Sequence, residues 1–252
     1  MLTKANLRYL TELQQKKYRH RYGAFLVEGA KSVTETLEAG FPLTAVFGTA
    51  AFEVENYALL RRAAVPFTEA TPDELSRAGS LVQNHTALAV AVLPDPARAL
   101  PPAASPPNLL LALADVRDPG NVGTILRLAD WYGLPAVVCS PTCADAYGPK
   151  AVAASMGSFA RVPVVERELP AWLASLPADC PVYGADLAGD NVHQLHLPPT
   201  GVLVMGSESH GLPPDVADAL TRRLHIPRRG GAESLNVAMA TAILLDNFFR
   251  ND

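Results

Sequence analysis

Polar residues crowd the entrance to the last apolar segment of the chain. In the stretch RRGGAESLNVAMATAILLDNFF, which begins at position 228, Arg228, Arg229, Ser234 and Asn236 precede a run that is almost entirely small or apolar. Ser234 could cap a helix here by accepting a hydrogen bond from a free backbone amide. The amides and partial positive charge of the helix N-terminus could instead face a ligand or an anion. A phosphate-binding P-loop is excluded, because no Gly-Lys-Ser/Thr follows at the required spacing.

Three more polar residues lie near the starts of predicted helices or in loops. Asn121 either caps a helix that begins at Val122 or faces a binding site. Arg127 lies two turns into a helix of otherwise apolar residues, where an arbitrary arginine would be a solvated surface residue. Glu208 is a loop carboxylate that solvent alone could satisfy. Their chemistry therefore depends on the elements that position them.

Strands and helices alternate regularly after residue 108. Apolar runs predict strands at 109–116, 136–140, 162–166, 181–187, 201–207 and 223–227. Helices are predicted at 121–133, 149–159, 169–175, 213–220 and in the final apolar segment. This order predicts a parallel α/β sheet with helices on both faces and 162–166 as an edge strand.

Three unusual loops follow strands of this predicted sheet, at 115–123, 205–212 and 226–236. In open parallel sheets, ligands bind outside the carboxyl ends of the strands, which is where these loops fall. A classical dinucleotide site is not indicated, because no Gly-x-Gly-x-x-Gly follows the first strand. The site is therefore of another kind.

A proline-rich segment divides the chain. The run LPDPARALPPAASPP begins at Leu93 and predicts a semi-rigid linker, because proline fixes φ and removes amide donors. We therefore predict domains at 1–93 and 108–252, with a linker at 94–107. Strand-like and helix-like segments also alternate before the linker, which predicts a small α/β sandwich.

Composition and the spacing of chemically reactive residues limit the class of protein. Hydrophobic residues make up 49% of the chain, but the longest apolar runs are too short to span a membrane and the N-terminus lacks a secretory signal. The three cysteines have no paired zinc spacing, which favours reduced thiols in a cytoplasmic protein. His193 and His196 lack a third ligand nearby, so no metal site is predicted.

The basic residues are concentrated in two groups, although the formal net charge is −4. The first 31 residues contain seven Lys or Arg against two Glu. A second group precedes the final helix and consists of Arg222, Arg223, His225, Arg228 and Arg229. Either group alone could be a solvated face, but two in an otherwise acidic chain favour a polyanionic partner.

Three motifs resemble, in order and spacing, those of the SpoU/TrmH RNA 2′-O-ribose methyltransferases. They are DPGNVGTILRLA (118–129), VMGSESHGL (204–212) and IPRRGGAESLNVAMA (226–240). The resemblance covers roughly 108–252. It implies the SPOUT fold with a C-terminal trefoil knot and S-adenosylmethionine as cofactor. Residues 1–93 are similar to the ribosomal-protein-like RNA substrate-binding domain of many members, although QNHTALAVA (83–91) departs from the family pattern.

The resemblance also implies an activity, the methylation of a ribose 2′-hydroxyl in structured tRNA or rRNA. The implied catalytic residues are Asn121, Arg127, Glu208, Ser234 and Asn236. The implied cofactor-binding residues are Met205, Gly206, Gly211, Ile226 and Leu235. In this family setting Arg127 positions phosphate and ribose, and only secondarily acts as a base, because guanidinium rarely loses a proton. Glu208 would hold Asn121 or Arg127, while Ser234 and Asn236 cap the last helix and orient the ribose.

Two other functions are weighed against this one. A non-catalytic RNA-binding protein could retain the knotted fold, but the five matching polar residues argue against it. An α/β enzyme could use another nucleotide. We also predict a homodimer through the C-terminal domain, because the final helix and the helix of 121–131 are apolar around most of their surfaces. Pairing would bring Arg127 of one subunit to the cofactor of the other, as in the resembling family.

Overall fold

The computed structural model describes residues 1–80, 85–97, 100, 108–207 and 210–250. The chain forms two compact units. The first combines Met1–Pro94 with Asp145–Arg161, and the second combines Asp95–Ala144 with Val162–Asp252. The N-terminal unit thus includes a segment from the middle of the chain. Most of the predicted linker lies outside the described residues.

The N-terminal unit is an α/β structure around a four-stranded sheet. Its strands are β1 (Ala24–Glu28), β2 (Leu43–Gly48), β3 (Phe67–Glu69) and β4 (Ala87–Val92). Its first six helices are α1 (Lys4–Leu13), α2 (Lys16–Tyr22), α3 (Ala30–Glu38), α4 (Ala50–Glu55), α5 (Tyr57–Ala63) and α6 (Pro72–Ala78). The strand order is β1-β4-β2-β3, in which only the β2–β3 pair is parallel.

The middle segment packs into this unit through aromatic rings and ion pairs. The Phe25 ring lies 4.9 Å from that of Tyr147 and 5.4 Å from that of Phe159, between ring centroids. Arg19 is buried and forms an ion pair with Asp145. The predicted helix at 149–159 is shorter than expected, because Met156 and Gly157 adopt left-handed φ values of 50° and 89°.

The C-terminal unit is a six-stranded sheet in which every pair is parallel. Counting along the whole chain, its strands are β5 (Leu109–Leu113), β6 (Val137–Cys139), β7 (Val164–Glu166), β8 (Val182–Asn191), β9 (Gly201–Met205) and β10 (Arg222–His225). The remaining helices of the chain are α7 (Pro119–Trp131), α8 (Pro149–Ser155, in the N-terminal unit), α9 (Leu169–Ala174), α10 (Pro214–Ala217) and α11 (Val237–Phe249). The order β10-β8-β9-β5-β6-β7 confirms the predicted parallel sheet and places β7 at an edge.

Helices cover both faces of this sheet. On one face, alternate strand residues such as Leu110 and Val202 share a buried cluster with Leu173 of α9 and Val216 of α10. On the other face, Tyr183 of β8 packs edge-on against Phe248 of α11, with 5.0 Å between ring centroids. Because the sheet is buried on both faces, its strands are continuous apolar runs in the sequence.

Helices α7 and α11 lie side by side and run in the same direction. At their N-terminal ends Asn236 Nδ2 donates to Asn121 Oδ1 at 2.9 Å, and at their C-terminal ends Tyr132 stacks on Phe249 at 5.3 Å between centroids. Neither helix is buried all round within one chain, as Trp131 is 83% exposed and Met239 is 60% exposed. Among the described helices, none combines the length and apolar character needed to span a membrane.

Candidate active site

The loop after β5 is held in a strained conformation by several contacts. Asp115 has a φ of 59°, which is unusual for a residue other than glycine. Its amide donates to Ser140 Oγ at 3.1 Å, and its carboxylate accepts from the Thr142 hydroxyl and pairs with Arg117 at 3.4 Å. Strain that the surroundings maintain in this way is common at binding sites. The sequence does not single out this aspartate, because only a small minority of aspartates adopt a left-handed backbone.

Asn121 does not cap the helix that follows this loop. Helix α7 begins at Pro119, and its N-cap is Asp118, whose Oδ1 accepts from the Asn121 amide at 3.1 Å. The alternative that Asn121 caps this helix is therefore excluded, because Asp-Pro provides both the preferred N-cap residue and a proline at the first helical position. The Asn121 side chain is left in the first turn, where its Oδ1 accepts from Asn236.

The loop after β9 closes tightly on itself. Met205 is buried at the end of the strand, and its carbonyl accepts from the Ala114 amide at 2.8 Å. The backbones of Ser207 and Gly211 exchange two hydrogen bonds of 3.0 Å. A Cβ at Gly206 would lie 2.3 Å from the Gly211 backbone, so only glycine fits there. Gly211 itself has a φ of 66°. The predicted residue Glu208 lies outside the described residues.

The loop after β10 is open to solvent. Ile226 directly follows the strand and is half-buried, whereas every residue from 227 to 236 is exposed. Helix α11 is capped by Asn236, whose Oδ1 accepts from the amides of Ala238 and Met239 at 3.0 and 3.3 Å. Ser234 lies two residues before the cap, so its predicted capping role is wrong. Asn236 takes that role because the helix starts at Val237, and its predicted capping role is confirmed.

The side chain of Asn236 joins two of the three loops. Its Oδ1 accepts hydrogen bonds from the first amides of α11, and its Nδ2 donates to Asn121 in the first turn of α7. The third loop is tied to the first through the Ala114–Met205 hydrogen bond. All three loops therefore meet at the carboxyl edge of the parallel sheet, as the strand directions predict.

Arg127 lies on the exposed side of α7. It follows Thr124 and precedes Trp131, both also exposed, at the spacing of one helical face. No hydrogen bond or ion pair holds its guanidinium within the parts of the chain that the structure describes. This arrangement leaves the guanidinium able to reach a bound molecule.

Two cysteines, for which the sequence predicted only reduced thiols, lie beside the first loop. Cys143 Sγ lies 3.2 Å from the Leu113 carbonyl oxygen and 3.4 Å from Ser140 Oγ. Hydrogen bonding with the Cys139 thiol lowers the pKa of Cys143 to about 7. The same hydrogen bond and burial raise the pKa of Cys139. Cys143 is therefore the stronger nucleophile of the two near neutral pH, because more of it is thiolate.

Part of the second basic group is neutralised within its own unit. Arg222 pairs with Asp190 at 2.8 Å, and Arg223 pairs with Asp186. Arg228 donates to the Ala232 carbonyl at 3.1 Å within the exposed loop. The sequence could not reveal these pairs, because the aspartates lie more than 30 positions earlier on β8.

One of the two histidines that prompted the question of a metal site contacts an asparagine of α11. His193 Nδ1 lies 3.3 Å from Asn247 Oδ1. Within the described ranges, no group of three or more His, Cys, Asp or Glu side chains is arranged to hold a metal ion.

The arrangement suits a ligand held by shape and backbone groups. The edge offers a close-packed glycine loop, an exposed backbone from 227 to 236, and the exposed apolar side chain of Leu235. A nucleoside with a charged tail needs such surfaces more than it needs catalytic side chains. These features fit S-adenosylmethionine, whose flat adenine ring can lie against an apolar side chain while its polar edge meets backbone groups.

Similarity to known proteins agrees with this geometry. Residues 108–246 match the SpoU rRNA Methylase family, and residues 4–84 match the MRM3-like substrate binding domain. The chain is 31% identical to the 23S rRNA (guanosine(2553)-2'-O)-methyltransferase RlmP of Bacillus subtilis, over 93% of this chain and 92% of the relative. It is also 31% identical to the 23S rRNA (uridine(2479)-2'-O)-methyltransferase of Streptomyces viridochromogenes, over 93% of this chain and 85% of the relative.

A solved structure adds the cofactor. The AdoMet-bound rRNA methyltransferase from Sinorhizobium meliloti superposes with a TM-score of 0.84 and 27% identity, over 100% of this chain and 96% of that one. The predicted family, the SPOUT fold apart from its knot, and the methyltransferase class of enzyme are confirmed. The chain belongs to the SpoU rRNA methylase family.

Proposed function

We propose that the protein methylates a ribose 2′-hydroxyl of ribosomal RNA with S-adenosylmethionine as the methyl donor. The observation that carries the proposal is the Asn236–Asn121 hydrogen bond, which joins two of the three motif loops at the carboxyl edge of the sheet. The rRNA substrate is favoured over tRNA by the two relatives that are named for 23S rRNA. Because those names specify different bases, the target nucleotide does not follow from the family.

The proposed cofactor residues are those at the ends of β9 and β10. Backbone groups at Met205, Gly206 and Ile226 would hold the adenosyl part, with Leu235 against its apolar surface and Gly211 closing the loop. When bound, S-adenosylmethionine supplies an electrophilic methyl group on its sulfonium. We also propose that this part of the chain forms the family's trefoil knot, which would bend the loops around the ligand.

The proposed catalytic residues orient the ribose rather than activate it strongly. Arg127 would bind the phosphate next to the target nucleotide, since a guanidinium matches phosphate geometry. The side chains of Asn121 and Asn236, which are hydrogen-bonded to each other, would face the ribose, with Ser234 beside them. Glu208 completes the proposed set by holding Asn121 or Arg127. The 2′-hydroxyl must lose its proton during transfer, and Arg127 is the secondary candidate to receive it.

The finer organisation is also proposed. Residues 1–93 would bind RNA and residues 108–252 would carry out methyl transfer. Residues 94–107 would be the linker between these two domains. The protein would act in the cytoplasm as a homodimer. The exposed apolar residues Trp131 and Met239 on the paired helices α7 and α11 support the dimer, because a second copy would cover them. Arg127 lies in the same exposed row of α7 and would then reach the partner's cofactor.

Calorimetric titration with S-adenosylmethionine tests the assignment of the site. We expect the intact protein to bind S-adenosylmethionine and not NAD. The variant Asn236→Asp keeps an N-cap oxygen but loses the Nδ2 donor, so α11 should remain stable while the link to Asn121 is lost. We expect weaker binding or slower methylation for Asn236→Asp. The control Asn56→Asp makes the same replacement at a buried asparagine of the N-terminal unit. If this control folds, it should behave as the wild type. Binding of NAD alone would refute the proposal.

A further inference from the structure

Helices α1 and α2 carry a cluster of tyrosines in close contact. Tyr18 and Tyr22 stack with their ring planes 14° apart and 6.1 Å between centroids. Tyr9 meets Tyr22 edge-on at 5.1 Å. Leu10 and Leu13 of α1 are fully buried in the core of the unit, and Tyr9 packs against the same core. Tyr22 is 39% exposed and Tyr18 is half-buried, so the Tyr18–Tyr22 stack lies at the surface.

Cations lie over two of these rings. Lys17 Nζ is 4.7 Å from the Tyr18 ring centroid, and Arg21 Cζ is 5.7 Å from that of Tyr22. Both cations are exposed. Residues 4–22 contain six Lys or Arg against one Glu, in a chain whose net charge is −4. We call Tyr9, Lys17, Tyr18, Arg21 and Tyr22 the tyrosine–cation surface.

The one acidic residue in these two helices orients the surface. Glu12 accepts from the Tyr22 hydroxyl at 2.6 Å and from Arg8 Nε at 2.9 Å. The hydrogen bonds from Tyr22 and Arg8 lower the pKa of Glu12, so it stays ionised and fixes the Tyr22 ring. Lys17 and Arg21 are not paired with it by an ion pair among the described residues.

We infer that the tyrosine–cation surface binds RNA by stacking unpaired bases on its tyrosine rings. Aromatic rings stack on splayed bases, and neighbouring cations contact the phosphates on either side. Bases within a continuous duplex are already stacked on each other and unavailable to a ring. The inference rests on the proposed function and refines it, because the substrate region bound here must contain unpaired nucleotides. An acidic peptide would need the cations but not the rings.

The test uses the full chain with the variants Tyr22→Ala and Tyr22→Phe. The probes are an RNA hairpin with an unpaired loop and a fully paired RNA of the same length. We expect Tyr22→Ala to weaken hairpin binding roughly five- to 100-fold, the range for loss of one base–aromatic stack. Tyr22→Phe retains the ring and should bind nearly as wild type. Tyr57→Ala is the matched control, because Tyr57 is 60% exposed on α5.

A second pair of variants tests the cations. Arg21→Ala should reduce the salt dependence of hairpin binding, by roughly 0.7 in the slope for one lost contact to a single strand. Arg61→Ala, on the exposed part of α5, should leave the slope unchanged. Thermal unfolding of each variant separates loss of binding from loss of fold.

Unchanged hairpin binding by folded Tyr22→Ala would overturn the inference, and so would equal affinity of the wild type for the hairpin and the paired RNA. A third contrary result is that a poly-glutamate peptide displaces the hairpin from the wild type and binds Tyr22→Ala equally well. Methylation of rRNA by the wild type is measured in parallel. If the wild type methylates rRNA and Tyr22→Ala does so with an unchanged KM, the inference alone fails. If the wild type binds S-adenosylmethionine but transfers no methyl group to RNA, the proposed function fails.

Discussion

At the scale of single residues, the chemistry depends on side chains that the helices place at their exposed starts and faces. Asn121 and Asn236 meet although they are 115 positions apart in the sequence. The motifs identified both residues, but the predicted cap at Ser234 is wrong, and the cap that the sequence left open at Asn121 belongs to Asp118. An asparagine and an aspartate at the same helix start compete for the cap, and only the backbone decides which residue takes it.

Replacing Arg127 with alanine should lower methylation by roughly two or more orders of magnitude, because one charged positioning contact is lost. Since Arg127 is exposed, the free energy of unfolding should change little. Binding of S-adenosylmethionine should also persist. Arg250→Ala, at the far end of α11, is the control. Near wild-type turnover by Arg127→Ala would remove this residue from the site.

The reactivity of Cys143 should depend on pH in a way that an ordinary thiol would not. Its pKa is lowered to about 7, so alkylation by iodoacetamide should reach half of its maximal rate near pH 7. A lowered pKa also means that ionisation favours the folded state above pH 9, and that this stabilisation is lost as the pH falls through 7. Burial raises the pKa of Cys180, which should react only at higher pH. Cys143→Ser identifies the signal, and a midpoint near 9 would contradict the assignment.

At the scale of elements, strand and helix order were predictable because buried parallel strands give long apolar runs. The parallel sheet of the C-terminal unit and the edge position of β7 are confirmed. Less predictable were the ends of elements. The predicted helix at 149–159 is interrupted by the left-handed Met156, although methionine has no preference for that conformation. The short strand β3 carries too few residues to show a period.

The loop after β9 provides an element-scale prediction. Gly206→Ala should displace the Gly211 backbone, because the added Cβ would lie 2.3 Å from it. We expect S-adenosylmethionine binding to fall roughly tenfold or more while the sheet remains folded. Gly230→Ala is the matched control, because a Cβ there meets no atom within 4 Å. Equal binding by both variants would show that the Gly206 loop does not hold the cofactor.

At the scale of the whole molecule, the division of the chain was harder to predict than its family. The proline-rich segment suggested a simple break in sequence order, whereas Asp145–Arg161 belongs to the compact unit of the N-terminal residues. The contacts responsible, such as Arg19 with Asp145, join residues 126 positions apart and leave no local pattern. The family resemblance succeeded because its three motifs retain their order and spacing.

The proposed dimer gives a prediction at this scale. Light scattering should yield a mass twice that of one chain, which is 26.8 kDa. The interface of such a dimer should bury more than about 2,000 Å² in total. Trp131→Lys would place a charge in that interface and should give a folded monomer with little activity. Val54→Lys, at an exposed apolar residue of the N-terminal unit, should remain a dimer. A stable and active wild-type monomer would contradict both the dimer and the shared site.

The most direct test of the central claim is to locate the transferred methyl group. The purified protein is incubated with unmodified 23S rRNA and isotopically labelled S-adenosylmethionine, and the nuclease digest is analysed by mass spectrometry. We predict one labelled 2′-O-methyl nucleotide, which is absent when Arg127→Ala replaces the wild type. Label on a base, or no label in RNA from a protein that binds S-adenosylmethionine, would contradict the account.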